Sequence, residues 1–228
     1  MKNTIGILGG MGPAATADMF QKFIQFTDAH CDQEHIPLLI SSIPDIPDRS
    51  SSLLDGGASP QPFMAKYIKG LEDAGASCIL IACNTAHYWY ENLKSQCHVD
   101  MISMIEATVN EVVKSGAKRV GLLATNATLQ TKLYQNQLER NGLICVLPRA
   151  QQDVMDSIYL FKSGDVKQAE VLMNKPRDSL LEQDVDMIIL GCTEVPIILA
   201  KEIKKTPQLY VDSTSALVRA AIKWYHTH

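Results

Sequence analysis

The sequence has no apolar run long enough to cross a membrane. Its longest are about strand length, well below the roughly 20 residues that a helical span requires. It has no CxxC pair among its six cysteines (31, 78, 83, 97, 145 and 192). Cys83 and His87 lie four apart and Cys97 adjoins His98, but no second pair of finger-like spacing accompanies them. A structural zinc framework is therefore not expected, and the thiols should be free in a reducing compartment. Charge of one sign is lacking too: 21 Lys and Arg against 25 Asp and Glu give −4. That removes the electrostatic reason to expect nucleic acid or an anionic membrane as a partner. No apolar leader is evident, because Met1-Lys2-Asn3 runs straight into Thr4-Ile5-Gly6-Ile7-Leu8-Gly9-Gly10. This stretch is too short for a signal core and reads as a first strand, so a cytoplasmic protein is expected.

What is present is enough for a real core. The 228 residues are 46% hydrophobic and 20% charged, which suits one large or two modest globular domains and argues against disorder. Two stretches make the same statement: Ile79-Leu80-Ile81-Ala82-Cys83-Asn84-Thr85-Ala86 and Ile188-Ile189-Leu190-Gly191-Cys192-Thr193-Glu194. Each is an aliphatic run suited to a buried parallel strand, ending on a cysteine and followed by small polar residues that can open a helix.

In chain order, a strand over 3–9 turns through Gly9-Gly10-Met11-Gly12-Pro13 into a helix over about 13–30, with proline suited to its first turn. The turn fits GxGxxA loosely. An acid follows the second strand (38–43) only about thirty residues on, so a dinucleotide site is disfavoured. Residues 44–59 read as a long irregular connection carrying Arg49, the only cation between Lys22 and Lys66. Such a segment is often functional. The alternative for Arg49 is a surface salt bridge. A helix over 60–75, the strand to Cys83 and a helix over 86–95 complete a first half.

Near residue 100 the pattern resets. Gly6-Ile7-Leu8 lies 115 positions before Gly121-Leu122-Leu123, and the two cysteine turns are separated by 109. Such similar offsets point to an internal duplication. The expected architecture is two similar α/β units with mostly parallel sheets, related by a pseudo-twofold axis, with a site in the cleft between them. The first unit spans 1–100, completed by 208–228; the second spans 101–207. Ligands of such sheets bind beyond the carboxyl ends of the strands, where both cysteines fall.

A cysteine at a strand-to-helix junction lies near unpaired N–H groups and the positive end of a helix, which favour thiolate. From an ordinary pKa of about 8.5, a modest depression makes a usable base. Two such thiols on opposite sides of one small substrate suit an inversion: one removes a proton from carbon, the other delivers a proton to the opposite face.

The residues carrying this pattern resemble the PLP-independent aspartate/glutamate racemase family, along essentially the whole chain. They are Ile5 to Pro13, Asp32-Gln33-Glu34-His35, Ile46-Pro47-Asp48-Arg49, Cys83-Asn84-Thr85-Ala86-His87 and Gly191-Cys192-Thr193-Glu194. The GGMGP and IPDR segments resemble the aspartate racemase branch. The resemblance implies that Cys83 and Cys192 are the acid/base thiols. It implies that Asn84, Thr85 and Thr193 hold the α-amino and α-carboxylate groups, while Met11, Gly12 and Thr125 line the pocket. Arg49 and Lys162 would meet carboxylates. Without the resemblance, Lys162 reads as a solvated lysine late in a helix. Glutamate racemases carry histidine where this chain has Glu194, which speaks against simple glutamate specificity and moves any help given to Cys192 onto a carboxylate. The resemblance further implies a small dicarboxylic amino acid as substrate, no cofactor, and a homodimer. Maleate isomerase, hydantoin racemase and a one-cysteine decarboxylase are the alternatives within the superfamily. A dicarboxylate-binding protein without chemistry is the alternative outside enzymes. The second matched cysteine counts against the decarboxylase and the binding protein. Local hydrogen bonding is the expected role of His87.

Overall fold

Aliphatic runs become parallel strands, and the amphipathic segments between them become helices that cover the strands. The computed structural model describes residues 3–228, so Met1 and Lys2 lie outside it. The first half contains β1 (Ile5–Gly9), α1 (Pro13–Phe26), β2 (Leu38–Ser42), α2 (Arg49–Leu54), α3 (Gln61–Asp73), β3 (Cys78–Ile81), α4 (Tyr90–Gln96), β4 (Asp100–Met101) and α5 (Met104–Ser115). The second contains β5 (Arg119–Ala124), α6 (Asn126–Gln130), α7 (Leu133–Arg140), β6 (Ile144–Val146), α8 (Gln151–Lys162), α9 (Val166–Leu181), β7 (Met187–Gly191), α10 (Val195–Ile198), α11 (Ala200–Lys205), β8 (Tyr210–Asp212) and α12 (Ser213–Thr227).

Two four-stranded sheets result, ordered β2-β1-β3-β4 and β6-β5-β7-β8, and every pairing is parallel. The strand order is the same in both. The central strands β1, β3, β5 and β7 are buried on both faces, which is why they read as continuous apolar runs rather than alternating ones.

The duplication reaches individual side chains. A Cβ on Gly6 would overlap Ile79 and press on Leu71, and one on Gly121 would press on Ile188 and Leu180. Residues 71 and 79 precede 180 and 188 by the same 109 positions that separate Cys83 from Cys192. In each sheet, glycine lets the covering helix and the neighbouring strand close onto the central strand.

By its contacts the chain divides into two compact units, one running to Ala107 and joined by Thr214–His228, the other Thr108–Ser213. The strand expected to return to the first unit does not do so. Tyr210–Asp212 pairs with Ile188–Leu190 of β7 in the second sheet, and only the helix after it returns. Leu217, Val218 and Ala221 of α12 pack with Ile5, Ile7 and Met19, and the Trp224 indole donates to Asp100 at 2.8 Å. Conversely, most of α5 belongs to the second unit. Because 104 precedes 213 by the same 109 positions, α5 and α12 occupy equivalent places in the repeat.

Two further expectations are revised. The first helix ends at Phe26, where Thr27 turns the chain and its hydroxyl donates to the Phe23 carbonyl at 2.7 Å. The connection over 44–59 is not wholly irregular: α2 occupies its middle, started by the Asp48 carboxylate accepting from the Ser51 N–H at 2.8 Å. No helix among the described residues is long and apolar enough to cross a membrane.

Candidate active site

The candidate residues form two groups, one in each unit. In the first, Cys83 follows β3 by two residues and is 6% exposed, packed with Met11, Ile46 and Ala86. A 3₁₀ turn over Thr85–Trp89 starts directly after Asn84, and both Asn84 and Thr85 are buried. His87 fixes this turn. One ring nitrogen, Nδ1, lies 2.8 Å from the Cys83 carbonyl, and the other, Nε2, accepts the Met104 N–H at 3.0 Å. Those partners assign the neutral tautomer with its proton on Nδ1. Burial lowers the His87 pKa to about 4, although the hydrogen bond to Cys83 opposes this. With both nitrogens engaged, His87 has no lone pair to offer a metal. The Cys97 thiol donates to Glu72 Oε1 at 3.0 Å, and the His98 backbone N–H donates to the same oxygen at 2.6 Å.

The glycine turn after β1 is held by Thr16, whose hydroxyl accepts the Gly10 N–H at 2.9 Å and donates to the Gly12 carbonyl at 3.2 Å. Gly10 has φ +88°, and a Cβ there would overlap the backbone of Ile43. Met11 is buried and Gly12 caps α1.

Arg49 opens α2, which packs against the 3₁₀ turn after Cys83. It is not a surface salt bridge. The side chain is 8% exposed, its Nη1 donates to the carbonyls of Ile46 and Pro47 at 3.1 Å each, and its buried Nε has no hydrogen-bond partner. A buried guanidinium held at one nitrogen by two backbone carbonyls keeps an unused donor in Nε.

In the second unit, Cys192 directly follows β7, and Cys192, Thr193 and Glu194 are all nearly inaccessible. The Cys192 thiol donates to Glu194 Oε2 at 3.0 Å, and the Thr193 hydroxyl donates to the same oxygen at 3.3 Å. Lys162, the last residue of α8, places Nζ 3.7 Å from the other carboxylate oxygen. The carboxylate that Lys162 meets here belongs to the protein. Thr125 caps α6, its hydroxyl accepting the Thr128 N–H at 3.2 Å. The following residue, Asn126, lies against Met155 of α8.

One electrostatic expectation is reversed. The turn at Cys192 does not favour thiolate. Burial pushes this thiol well above the ordinary range, the Glu194 charge pushes it further, and Lys162 only partly opposes them. The helix that follows is a single turn, Val195–Ile198, too short to outweigh desolvation. Sequence reading missed Tyr134 of α7, fully buried and near enough to Cys192 for the two to interact electrostatically. No motif in the sequence around Tyr134 marks it as a neighbour of Cys192.

An α/β protein with a buried thiol just past a central strand in each of two repeated units is a chemical scaffold of restricted type. A sequence model of the Asp/Glu/Hydantoin racemase family matches residues 8–221. The chain belongs to this family, whose racemases are isomerases. Among solved structures it is similar to the aspartate racemase of Picrophilus torridus, with TM-score 0.90 and 35% identity over 98% of this chain and 94% of that one. It is 28% identical to the broad specificity amino-acid racemase RacX of Bacillus subtilis, over 97% of each chain. It is 34% identical to the glutamate racemase of Aquifex pyrophilus, over 64% of this chain and 58% of that protein.

Proposed function

We propose that this protein interconverts L- and D-aspartate without a cofactor, with Cys83 and Cys192 acting on opposite faces of the α-carbon. The observation that carries the proposal is the repeated placement of a buried thiol just beyond β3 and β7 in two units of identical strand order. In each half-reaction one thiolate takes the Cα–H as a proton, leaving its electron pair delocalised into the α-carboxylate. The opposite thiol then gives its own proton to the other face. The two sulfurs exchange protonation states, and the product is the mirror image.

The α-proton is weakly acidic, so the developing negative charge must be stabilised by the site. Arg49, charged and with Nε unused, is suited to the substrate side-chain carboxylate. Asn84, Thr85 and Thr193 supply donors for the α-amino and α-carboxylate groups, and Met11, Gly12 and Thr125 line the space. Aspartate is favoured over glutamate by the GGMGP and IPDR segments, by Glu194, and by the similarity to the Picrophilus torridus enzyme. The reading includes a homodimer in the cytoplasm, where all six thiols stay reduced.

The test is incubation of both enantiomers of aspartate, glutamate and a panel of neutral amino acids in deuterated water, without PLP. Inversion and Cα-deuteration of aspartate are expected. Cys83→Ser and Cys192→Ser should each lower inversion by about a hundredfold to ten-thousandfold, the usual contribution of a general acid–base group. Persistent inversion in either variant removes the two-thiol mechanism. Equal turnover across the panel replaces aspartate specificity with the broad specificity named for RacX. A stable covalent adduct at one cysteine favours a maleate-isomerase type of chemistry instead.

A further inference from the structure

Two side-chain amides meet at the carboxyl end of β5. Gln151 opens α8, and its Nε2 donates to the Ala124 carbonyl and to Asn126 Oδ1, at 2.9 Å each. A backbone carbonyl only accepts, so the amide atom that faces Ala124 is the nitrogen of Gln151. The Asn126 atom that faces this nitrogen is in turn the oxygen. Asn126 is thereby oriented with Nδ2 as the end it presents to a ligand. The orientation has a cost, since Gln151 Oε1 is buried with no hydrogen-bond partner.

The repeat defines where this turn lies. Ala124 is paired with Gly191, and Thr125 is still extended, so Thr125 and Asn126 continue β5 beside Cys192 and Thr193. In the first unit Gly10 and Met11 continue β1 in the same way, 115 positions earlier, and Met11 packs in one cluster with Cys83. Asn126 therefore takes in the second unit the place of Met11. A half-buried amide stands where the first unit has a buried thioether. The Asn126 N–H donates to the Met155 sulfur at 3.3 Å, which holds the residue against α8.

We propose that Asn126 is a further substrate-binding residue, with Nδ2 donating to a substrate carboxylate beside Cys192 and Gln151 positioning it for that contact. This deepens the racemase reading above and rests on it. A neutral amide supplies a donor there without adding a third charge to a turn where Glu194 and Lys162 already face one another.

The two ends of the Asn126 amide allow the contact to be separated from a bracing role. Asn126→Asp keeps the oxygen that Gln151 grips and replaces only the nitrogen, with an atom that repels a carboxylate. Asn126→Ala removes both ends. The measurements, on the full-length protein, are steady-state racemisation of aspartate and calorimetric binding of succinate, an unreactive dicarboxylate. Losing a hydrogen bond to a charged group weakens binding by about 10- to 100-fold. Asn126→Ala should raise the aspartate KM and the succinate Kd about tenfold, and Asn126→Asp about a hundredfold, with a smaller change in kcat. Gln151→Glu offers Asn126 an acceptor, turns Nδ2 toward α8 and should raise both constants about tenfold.

If Asn126 only braces α8, Asn126→Asp behaves as the parent, because the brace is kept. Unmoved constants in that variant overturn the proposal. So does a loss confined to Asn126→Asp with Asn126→Ala at parent values, which marks charge repulsion alone. Should Asn126→Asp fail to fold, unmoved constants in Asn126→Ala overturn it without the other variant. Parent-like constants in Gln151→Glu remove the positioning role. Succinate binding that depends on Asn126 without any racemisation sinks the racemase reading and spares the contact; racemisation with unmoved constants does the reverse. A parent that neither turns over aspartate nor binds succinate overturns both.

Discussion

Cys83 and Cys192 stand at equivalent places in a repeat, yet their surroundings share almost nothing. Beside Cys83 a neutral histidine grips the backbone carbonyl and leaves the sulfur alone. Beside Cys192 a carboxylate grips the sulfur itself, with an ammonium behind it. The scaffold is repeated and the polar groups around each thiol are not. A symmetric fold can therefore offer two thiols of different character without breaking its topology. Strand order fixes where each sulfur falls, and the residue two or four positions on decides whether the thiol or only its backbone carbonyl is engaged.

The glycine turns show a second asymmetry, and it gives the largest expected effect. β2 runs beside β1 as far as Gly9, so the backbone of Ile43 crowds Gly10. β6 stops at the partner of Gly121, three residues short of the equivalent point, and Thr125 has room for a side chain where Gly10 has none. Gly10→Ala should thus remove about 3 kcal/mol or more, combining a strained positive φ with overpacking. Urea unfolding of the parent and variant measures this. A loss below 1 kcal/mol would show that Ile43 yields easily and the asymmetry is unimportant.

The histidine gives a pH-dependent difference of similar or smaller size. Free histidine titrates near 6.5, and His87 is lowered to about 4 by burial. Between those values the unfolded chain binds more protons than the native one. The stabilisation is therefore complete above about pH 6.5 and lost as the pH falls toward 4. It amounts to about 3 kcal/mol at most. Denaturant midpoints taken from pH 7 to pH 4 should fall less steeply for His87→Gln than for the parent. Parallel slopes would show that His87 is not held neutral by the fold. Thr125→Ala sets the lower end of the comparison, removing the α6 cap and the 3.0 Å contact with the Thr128 hydroxyl. A decrease of about 1 kcal/mol is expected in the same unfolding assay. A larger loss would mark Thr125 as doing more than capping.

Much of the fold was readable because burial on both faces forces β1, β3, β5 and β7 into uninterrupted aliphatic runs. The repeat was readable from glycine and cysteine offsets that packing enforces. The short helices were not. α2, α6, α7, α10 and α11 run from four to eight residues, and helices that short owe their stability to tertiary contact more than to propensity or periodicity. The return of α12 alone, without β8, was also hidden, because a three-residue strand carries no signal for the sheet it joins.

By itself the sequence determined that two cysteines end two buried strands of a duplicated α/β chain, since hydrophobic pattern and spacing are local properties. Only the tertiary structure decided which charges face Cys192. The protonation of Cys192 depends on Lys162, which lies 30 positions away in the chain and 3.7 Å from Glu194 in space. It depends equally on burial that no single stretch of sequence records. Desolvation and charge pairing act through distance in space, and folding alone sets that distance.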